Sequence, residues 1–228
     1  MKPARRVVTT SPSQNVGVVC CPWLQAEPIE HESITERWFL LIAVLLPRLQ
    51  RIAHQPFRLE LPSMEDGTAD ATYVPDFLLQ FESGESVVVE VKPEKFLPKH
   101  LAKLTAAAEV LRAQGQAFFV VTDKDLRSTL SMPDAVHIRR IAKGHVSDEE
   151  VERALAALSA YPGYLTAGEL SARAGVGLHV VGWLVSRGRV GTKVPDIVDD
   201  ATLVIDLAKE EDSHAALSVG RWFATAPW

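Results

Sequence analysis

The sequence of 228 residues predicts an α/β fold: a mixed sheet flanked by helices, followed by a smaller, mainly helical C-terminal domain. Three observations carry this expectation. Two strand-like segments, 71–81 and 86–92, are joined by the turn ESGE and followed by an amphipathic helix and a third apolar strand, 117–122. A strand, a crossing helix and another strand build one sheet covered by helices. Residues 147–187 then carry three helix-type segments with capping residues. The charge balance also changes between these regions. Residues 1–145 hold 17 basic and 17 acidic side chains, whereas 146–228 hold 7 and 12. The boundary is therefore expected near 145, giving domains 1–145 and 146–228.

Taken in order, residues 1–20 read as extended, with Pro3 and the turn signal Ser11–Pro12–Ser13. Ser33 caps a helix running to Leu46, with Glu36 at the capping-box position and Trp38, Leu41, Ile42 and Leu45 as its apolar stripe. Pro47 stops it, and a loop carrying His54, Gln55 and Pro56 follows. Residues 57–61 alternate as a strand, and 63–70 form a turn. In the hairpin, Phe77, Leu79 and Phe81 share one face; Val87, Val89 and Val91 share another, leaving Glu90 and Lys92 opposite them. The next helix spans 98–114 with Leu101, Leu104, Ala108 and Leu111 inside, ended by Gly115. A short helix is expected over 125–130 and a last strand or extended arm over 136–141.

Composition sets limits. An apolar fraction of 47% excludes a disordered chain. No apolar run reaches the roughly 18 residues of a membrane helix. Cys20 and Cys21 are adjacent, which suits neither an ordinary staple nor a tetrahedral zinc site, so a reduced, cytoplasmic setting is expected. A net charge of −5 offers no global attraction to nucleic acid.

The sharpest chemical signal is Pro75–Asp76, thirteen residues, then Glu90–Val91–Lys92. Two carboxylates on neighbouring strands supply hard oxygen donors for Mg²⁺, which keeps several waters and accepts substrate phosphate oxygens. Lys92 shares the Glu90 face and suits orientation of a water or stabilisation of phosphoryl charge. The same residues also suit a charged surface hairpin. Glu36 has two readings: the capping-box acid, or a third carboxylate directed at the metal, a role for which Glu32 competes. His31, His54 and His100 show no ligand spacing. Lys95, Lys99 and Lys103 suit either phosphate contact or a solvated helix face. Lys2, Arg5 and Arg6 form a basic arm, and Arg139, Arg140 and Lys143 a second local patch.

These residues carry a resemblance. The hairpin resembles the PD-(D/E)xK restriction-endonuclease-like fold. More narrowly, RRVVTTSPSQNV, HESITERWFL, HQPFRLEL, TYVPDFLLQF, VVVEVKP and FFVVTDKDL, in that order, resemble the TnsA family, the endonuclease subunit of heteromeric Tn7-like transposases. The resemblance covers about 60% of the chain. It implies that Glu36, Asp76, Glu90 and Lys92 take the catalytic positions, with Glu36, Asp76 and Glu90 holding Mg²⁺ or Mn²⁺. Gln55 matches a recurring QP element, with DNA contact, packing or backbone support as its role. The implied reaction is phosphodiester hydrolysis of double-stranded DNA at the 5′ ends of a mobile element, leaving a 5′ phosphate and a 3′ hydroxyl. The implied partners are a TnsB-like DDE transposase and a TnsC-like AAA+ ATPase. Arg5, Arg6, Lys95, Lys99, Lys103, Arg139 and Arg140 are the expected DNA-binding cations.

In the C-terminal part, TAGELSARAGVGLHVVGWLVSRGRV reads as a helix-turn-helix followed by a wing, a winged-helix-like domain. Its third helix offers His179 and Ser186, with Arg187 and Arg189 only at its end, which favours protein docking over base reading and leaves DNA contact open. Trp222, Phe223 and Trp228 are expected as exposed terminal aromatics that dock on a partner, the ATPase regulator by the resemblance. The rival readings are a free-standing restriction or repair nuclease and a non-enzymatic DNA-binding adaptor.

Overall fold

A computed structural model describes residues 16–61, 72–193, 195–209 and 214–228. Lys2, Arg5, Arg6 and the turn expected over 63–70 lie outside the described residues.

The first elements are a small antiparallel hairpin, β1 (Gly17–Val19) and β2 (Ile29–His31), then helix α1 (Ile34–Ala43). Ser33 caps α1 by accepting from the Glu36 N–H. The helix stops at Ala43, earlier than expected, and its buried face is Thr35 and Phe39 to Ala43 rather than a stripe through Trp38. Trp38 is half-buried, and its indole N–H donates to the Leu130 carbonyl at 3.0 Å.

Strand β3 (Leu49–His54) occupies much of the expected loop. It pairs with β6, introduced below, through a register shift between Leu49 and Arg51. That bulge breaks the period-2 alternation, leaving Leu49 and Ile52 as the buried positions and masking the strand signal. Two short strands, β4 (Leu59–Glu60) and β5 (Thr72–Tyr73), pair with each other apart from the main sheet. The expected continuous strand 71–81 is thus broken before Asp76, and β6 covers Phe77–Phe81. Strand β7 (Ser86–Lys92) completes the hairpin, whose turn uses Gly84 at φ +84°. After a 3-10 turn at Glu94–Phe96, α2 (Leu97–Ala113) crosses to β8 (Ala117–Thr122).

The main sheet has the order β3-β6-β7-β8, antiparallel except for the parallel β7–β8 pair. It is a mixed sheet buried on both faces. One face carries Phe77, Leu79, Phe81, Val87, Val89, Val91, Phe119 and Val121 against α1. The other carries Leu78, Val88, Phe118 and Val120 against Leu104, Ala107, Ala108 and Leu111 of α2. Leu101, expected inside α2, is 52% exposed.

Helix α3 (Asp123–Thr129) forms as expected, with Thr122 and Asp125 as a reciprocal capping box. Helix α4 (Met132–Ala142) replaces the strand or arm expected over 136–141. Ser131 caps it, Pro133 sits in its first turn, and Ala135, Ile138 and Ala142 recur on its buried side with helical spacing.

Next come α5 (Asp148–Ser159), β9 (Leu165–Thr166), α6 (Ala167–Ala174), α7 (Leu178–Ser186), β10 (Gly191–Thr192) and β11 (Leu203–Ile205). The last three strands form an antiparallel sheet in the order β10-β11-β9. These elements enclose their own apolar cluster, built around Ala154, Leu158, Leu170, Val180, Val181, Leu184 and Val204. Helix α4 links the two cores: Trp183 donates to the Gly144 carbonyl and Arg187 to the Ala142 carbonyl, each at 2.9 Å.

The chain then returns. Helix α8 (Ala215–Phe223) packs into the first core through Ala215, Val219, Trp222 and Phe223. The Phe223 ring lies 5.0 Å from that of Phe39 on α1. The expectation that Trp222 and Phe223 are exposed docking residues is corrected: they are 5% and 0% exposed. Trp228 is half-buried against the α2-side core, and its backbone N–H donates to the Phe118 carbonyl at 2.9 Å. The last helix of the segment after 145 thus packs into the first core.

Among the described residues, no helix is long and apolar enough to cross a membrane. Cys20 is exposed and Cys21 buried, neither in a disulfide, and burial pushes the Cys21 thiol up to about 11.

Candidate active site

The hairpin register decides which acids meet. Phe77 opposes Val89, so one step back along β6 brings Asp76 opposite Glu90. At that step the chain has left the ladder. The Asp76 carboxylate takes the place of a strand carbonyl and accepts from the Val91 N–H at 2.9 Å. The Asp76 carbonyl accepts from the Gln55 N–H at 2.7 Å. Gln55 stands at φ +41°, a left-handed conformation that side-chain-bearing residues adopt at a cost and that clusters at functional positions. It is 5% exposed. Gln55 thus gives backbone support to Asp76 and also lines the cleft described below.

Glu90 projects from β7 on the α2 side and is 3% exposed. Both its oxygens are engaged. The Lys92 ammonium lies 2.7 Å from Oε1, and the Tyr73 hydroxyl donates to Oε2 at 2.6 Å. Burial alone would disfavour the charged form of Lys92. The Glu90 and Asp76 carboxylates outweigh this and hold its pKa above the ordinary lysine value. Asp76 is pushed the opposite way for an acid: burial and then the Glu90 charge raise its pKa well above the carboxylate range, with Lys92 partly offsetting. Burial, followed by Glu90 and Asp76, also raises the Tyr73 phenol.

Glu36 reaches the same neighbourhood, bordering a small recess with Gln55 and Asp76. Its oxygens are held at the helix start: Oε2 accepts from the Glu32 N–H at 2.7 Å, and Oε1 from the Ser33 hydroxyl at 2.8 Å. Burial raises its pKa, and these two hydrogen bonds offset part of the rise. The capping role is therefore realised in this conformation.

Asp76, Glu90 and Lys92 line a cleft of about 410 Å³. Its other walls bring Arg58, His100 and Lys103 together with Glu32, so three basic-type side chains face three acids, and it is Glu32 rather than Glu36 that lines the cleft. Of the three lysines expected to meet DNA from this region, only Lys103 lines the cleft. Lys99 is exposed, and Lys95 lies over the Phe96 ring at 4.8 Å. Arg58, Tyr73 and His100 were not singled out by sequence reasoning. Tyr73 lies three residues before Asp76, but the chain breaks between β5 and β6 at that point, so no strand or helix period links them.

Among the described residues, no three His, Cys, Asp or Glu side chains are grouped so as to hold a metal ion. The carboxylates lining the cleft are Glu32, Asp76 and Glu90, of which Asp76 and Glu90 interact directly. That pair suits a hard divalent cation that completes its shell with water and substrate oxygens. Burial and the neighbouring Glu90 charge, which raise the Asp76 pKa, form the kind of charge arrangement a cation relieves.

A mixed α/β core presenting a carboxylate pair and a lysine from one hairpin defines a class of protein consistent with nucleases. Residues 47–123 match the family model described as TnsA-like endonuclease N terminal. That segment is thus similar to the N-terminal domain of TnsA-like endonucleases, in keeping with the resemblance read from the motifs. The matched segment holds Gln55, Asp76, Glu90 and Lys92 and all four strands of the main sheet, and excludes Glu36. No curated protein matches the chain.

Proposed function

We propose that this protein is a Mg²⁺-dependent DNA endonuclease, the subunit of a heteromeric transposase that hydrolyses phosphodiester bonds at the 5′ ends of a mobile element. The observation that carries this reading is the meeting of Asp76, Glu90 and Lys92, inside the family-matched segment, in a cleft that Arg58, His100 and Lys103 also line.

Asp76 and Glu90 are the residues to hold the cation. When bound, a divalent ion supplies Lewis-acid polarisation of the phosphoryl group and of a water, with Mn²⁺ able to substitute. The remaining work belongs to the chain. Tyr73 fixes one oxygen of Glu90, and the Val91 N–H fixes one oxygen of Asp76. Lys92, held as the ammonium, is placed to stabilise charge that builds on the phosphoryl oxygens. Arg58, His100 and Lys103 are placed to seat the flanking backbone phosphates. Water attacks phosphorus in line, the bond to the 3′ oxygen breaks, and the products are a 5′ phosphate and a 3′ hydroxyl. Glu36 sits close enough to bias this charge balance, and its release from the cap would add a third carboxylate.

The succession β9, α6, α7, β10 and β11 supports reading the second unit as winged-helix-like, a helix pair followed by a two-stranded wing. Its surplus of acids favours docking to protein, with a TnsB-like DDE transposase and a TnsC-like AAA+ ATPase as the partners. A nuclease domain without a net basic charge fits an enzyme delivered to its DNA by such partners.

The test is cleavage of element-end DNA by wild type and Asp76→Ala, each alone and with transposase and ATPase. The expected result is cleavage by wild type in the presence of the partners and a loss of at least a thousandfold in the variant. Efficient cutting by the wild-type chain alone at a defined site would favour a restriction enzyme. Intact complex formation with no cutting would favour an adaptor.

A further inference from the structure

We infer a second DNA-backbone site outside the catalytic cleft, where α1 and α4 meet. Arg37 from α1 and Arg139, Arg140 and Lys143 from the end of α4 surround a recess of about 160 Å³ whose remaining lining residue is Val136. Four cations converge there and no acid lines the recess. None of the four forms an ion pair among the described residues. Arg139 is fixed by donating to the Cys20 carbonyl at 2.9 Å, which anchors its guanidinium at the recess.

Cations in the last turn of a helix complement its dipole, which accounts for Arg139 and Arg140 individually. It does not account for Arg37, which arrives from another helix, or for Lys143 beyond the helix end. Holding four like charges around one recess is unfavourable unless an anion sits among them. The first 145 residues are neutral overall, so this concentration is local rather than a consequence of composition.

The position names the anion. Arg37 directly follows Glu36, which borders the recess beside Asp76. Asp76 and the second site therefore both adjoin α1, a helix about 10 Å across, and a single turn of duplex spans about 34 Å. A duplex with one phosphodiester in the cleft has further phosphates within reach of the second site. This inference rests on the nuclease reading above, and deepens it: the duplex is gripped at the cleft and again across α1, by charge alone and without base contacts.

The experiment is equilibrium binding of a fluorescent 40-base-pair duplex to the full chain in metal-free buffer, titrated with salt. The variant is Arg37→Gln/Arg140→Gln/Lys143→Gln, which leaves Arg139 in its structural hydrogen bond. A control, Arg112→Gln/Lys124→Gln/Arg153→Gln, removes the same charge from other exposed positions. The expected result is a weakening on the order of tenfold or more and a fall of about 2.7 in the salt slope for the first variant, with the control near wild type and both melting as wild type. Equal losses in the two variants, or unchanged affinity and slope in the first, overturn the site. Asp76→Asn separates the readings: duplex binding with cleavage abolished keeps the nuclease reading whatever the triple variant does. A wild-type chain that binds no duplex overturns the second site, and the nuclease reading then stands or falls on cleavage with the partners present.

Discussion

Asp76 sits under opposing demands. Burial and the Glu90 charge raise its pKa, while Lys92 and the Val91 N–H favour its ionised form. An acid whose folded pKa lies above its unfolded value, about 3.9, binds more protons when folded. It costs stability as pH rises from about 4 and costs none below. Asp76→Asn, which keeps an acceptor for Val91, is therefore expected to melt higher than wild type at pH 7 in metal-free buffer. The gap should close as the pH approaches 4, in a melt series across that range, and a lower-melting variant at pH 7 would contradict the charge arrangement. Because Asp76, Glu90 and Lys92 interact, the transition belongs to the group rather than to one residue. Tyr73 offers a second test. Tyr73→Phe leaves a buried Glu90 oxygen without its donor and should cost about 1–3 kcal/mol in denaturant unfolding, with slower cleavage. The sequence exposes Asp76, Glu90 and Lys92 because alternation on a strand fixes their faces. It hides Tyr73, whose partnership depends on a chain break and on the way β5 folds back.

At the scale of elements, the hairpin and the crossover helix are readable because their apolar residues recur with one clean period. Strand β3 is not, since its bulge offsets Leu49 from Ile52. Helix α4 is mistaken for a strand because Val136, Ile138 and Ile141 mix with polar residues in a way that suits either period. Ser131 and Pro133 resolve it only once the helix is known to start there. The last helix shows the limit most clearly. A terminal Trp222–Phe223 pair suits an exposed docking motif and a core plug equally well in sequence, and only Phe39, far away in the chain, decides. The outcome is testable. Phe223→Ala should destabilise the protein by about 3–5 kcal/mol, read by urea unfolding. A variant with wild-type stability and impaired partner binding would restore the docking role.

At the scale of the molecule, two cores share helix α4, and the chain passes from the first to the second and back. Acidity is concentrated in the later part, while the cations gather at the cleft wall and at the α1–α4 recess. A net charge of −5 therefore describes neither surface that matters for DNA. The arrangement suits the proposed nuclease, with a local grip and little long-range attraction, placed by partners. Its central claim is that one carboxylate pair and its lysine form a metal-dependent active centre. Single-turnover cleavage of end-labelled duplex by the assembled proteins tests this most directly, comparing wild type with Asp76→Ala, Glu90→Ala and Lys92→Ala, with Mg²⁺ and with chelator. Wild type alone among the four is expected to cleave, and only with Mg²⁺, with each variant still joining the complex. Cleavage by Asp76→Ala or Glu90→Ala at the wild-type rate, or cleavage undiminished by chelator, would contradict it.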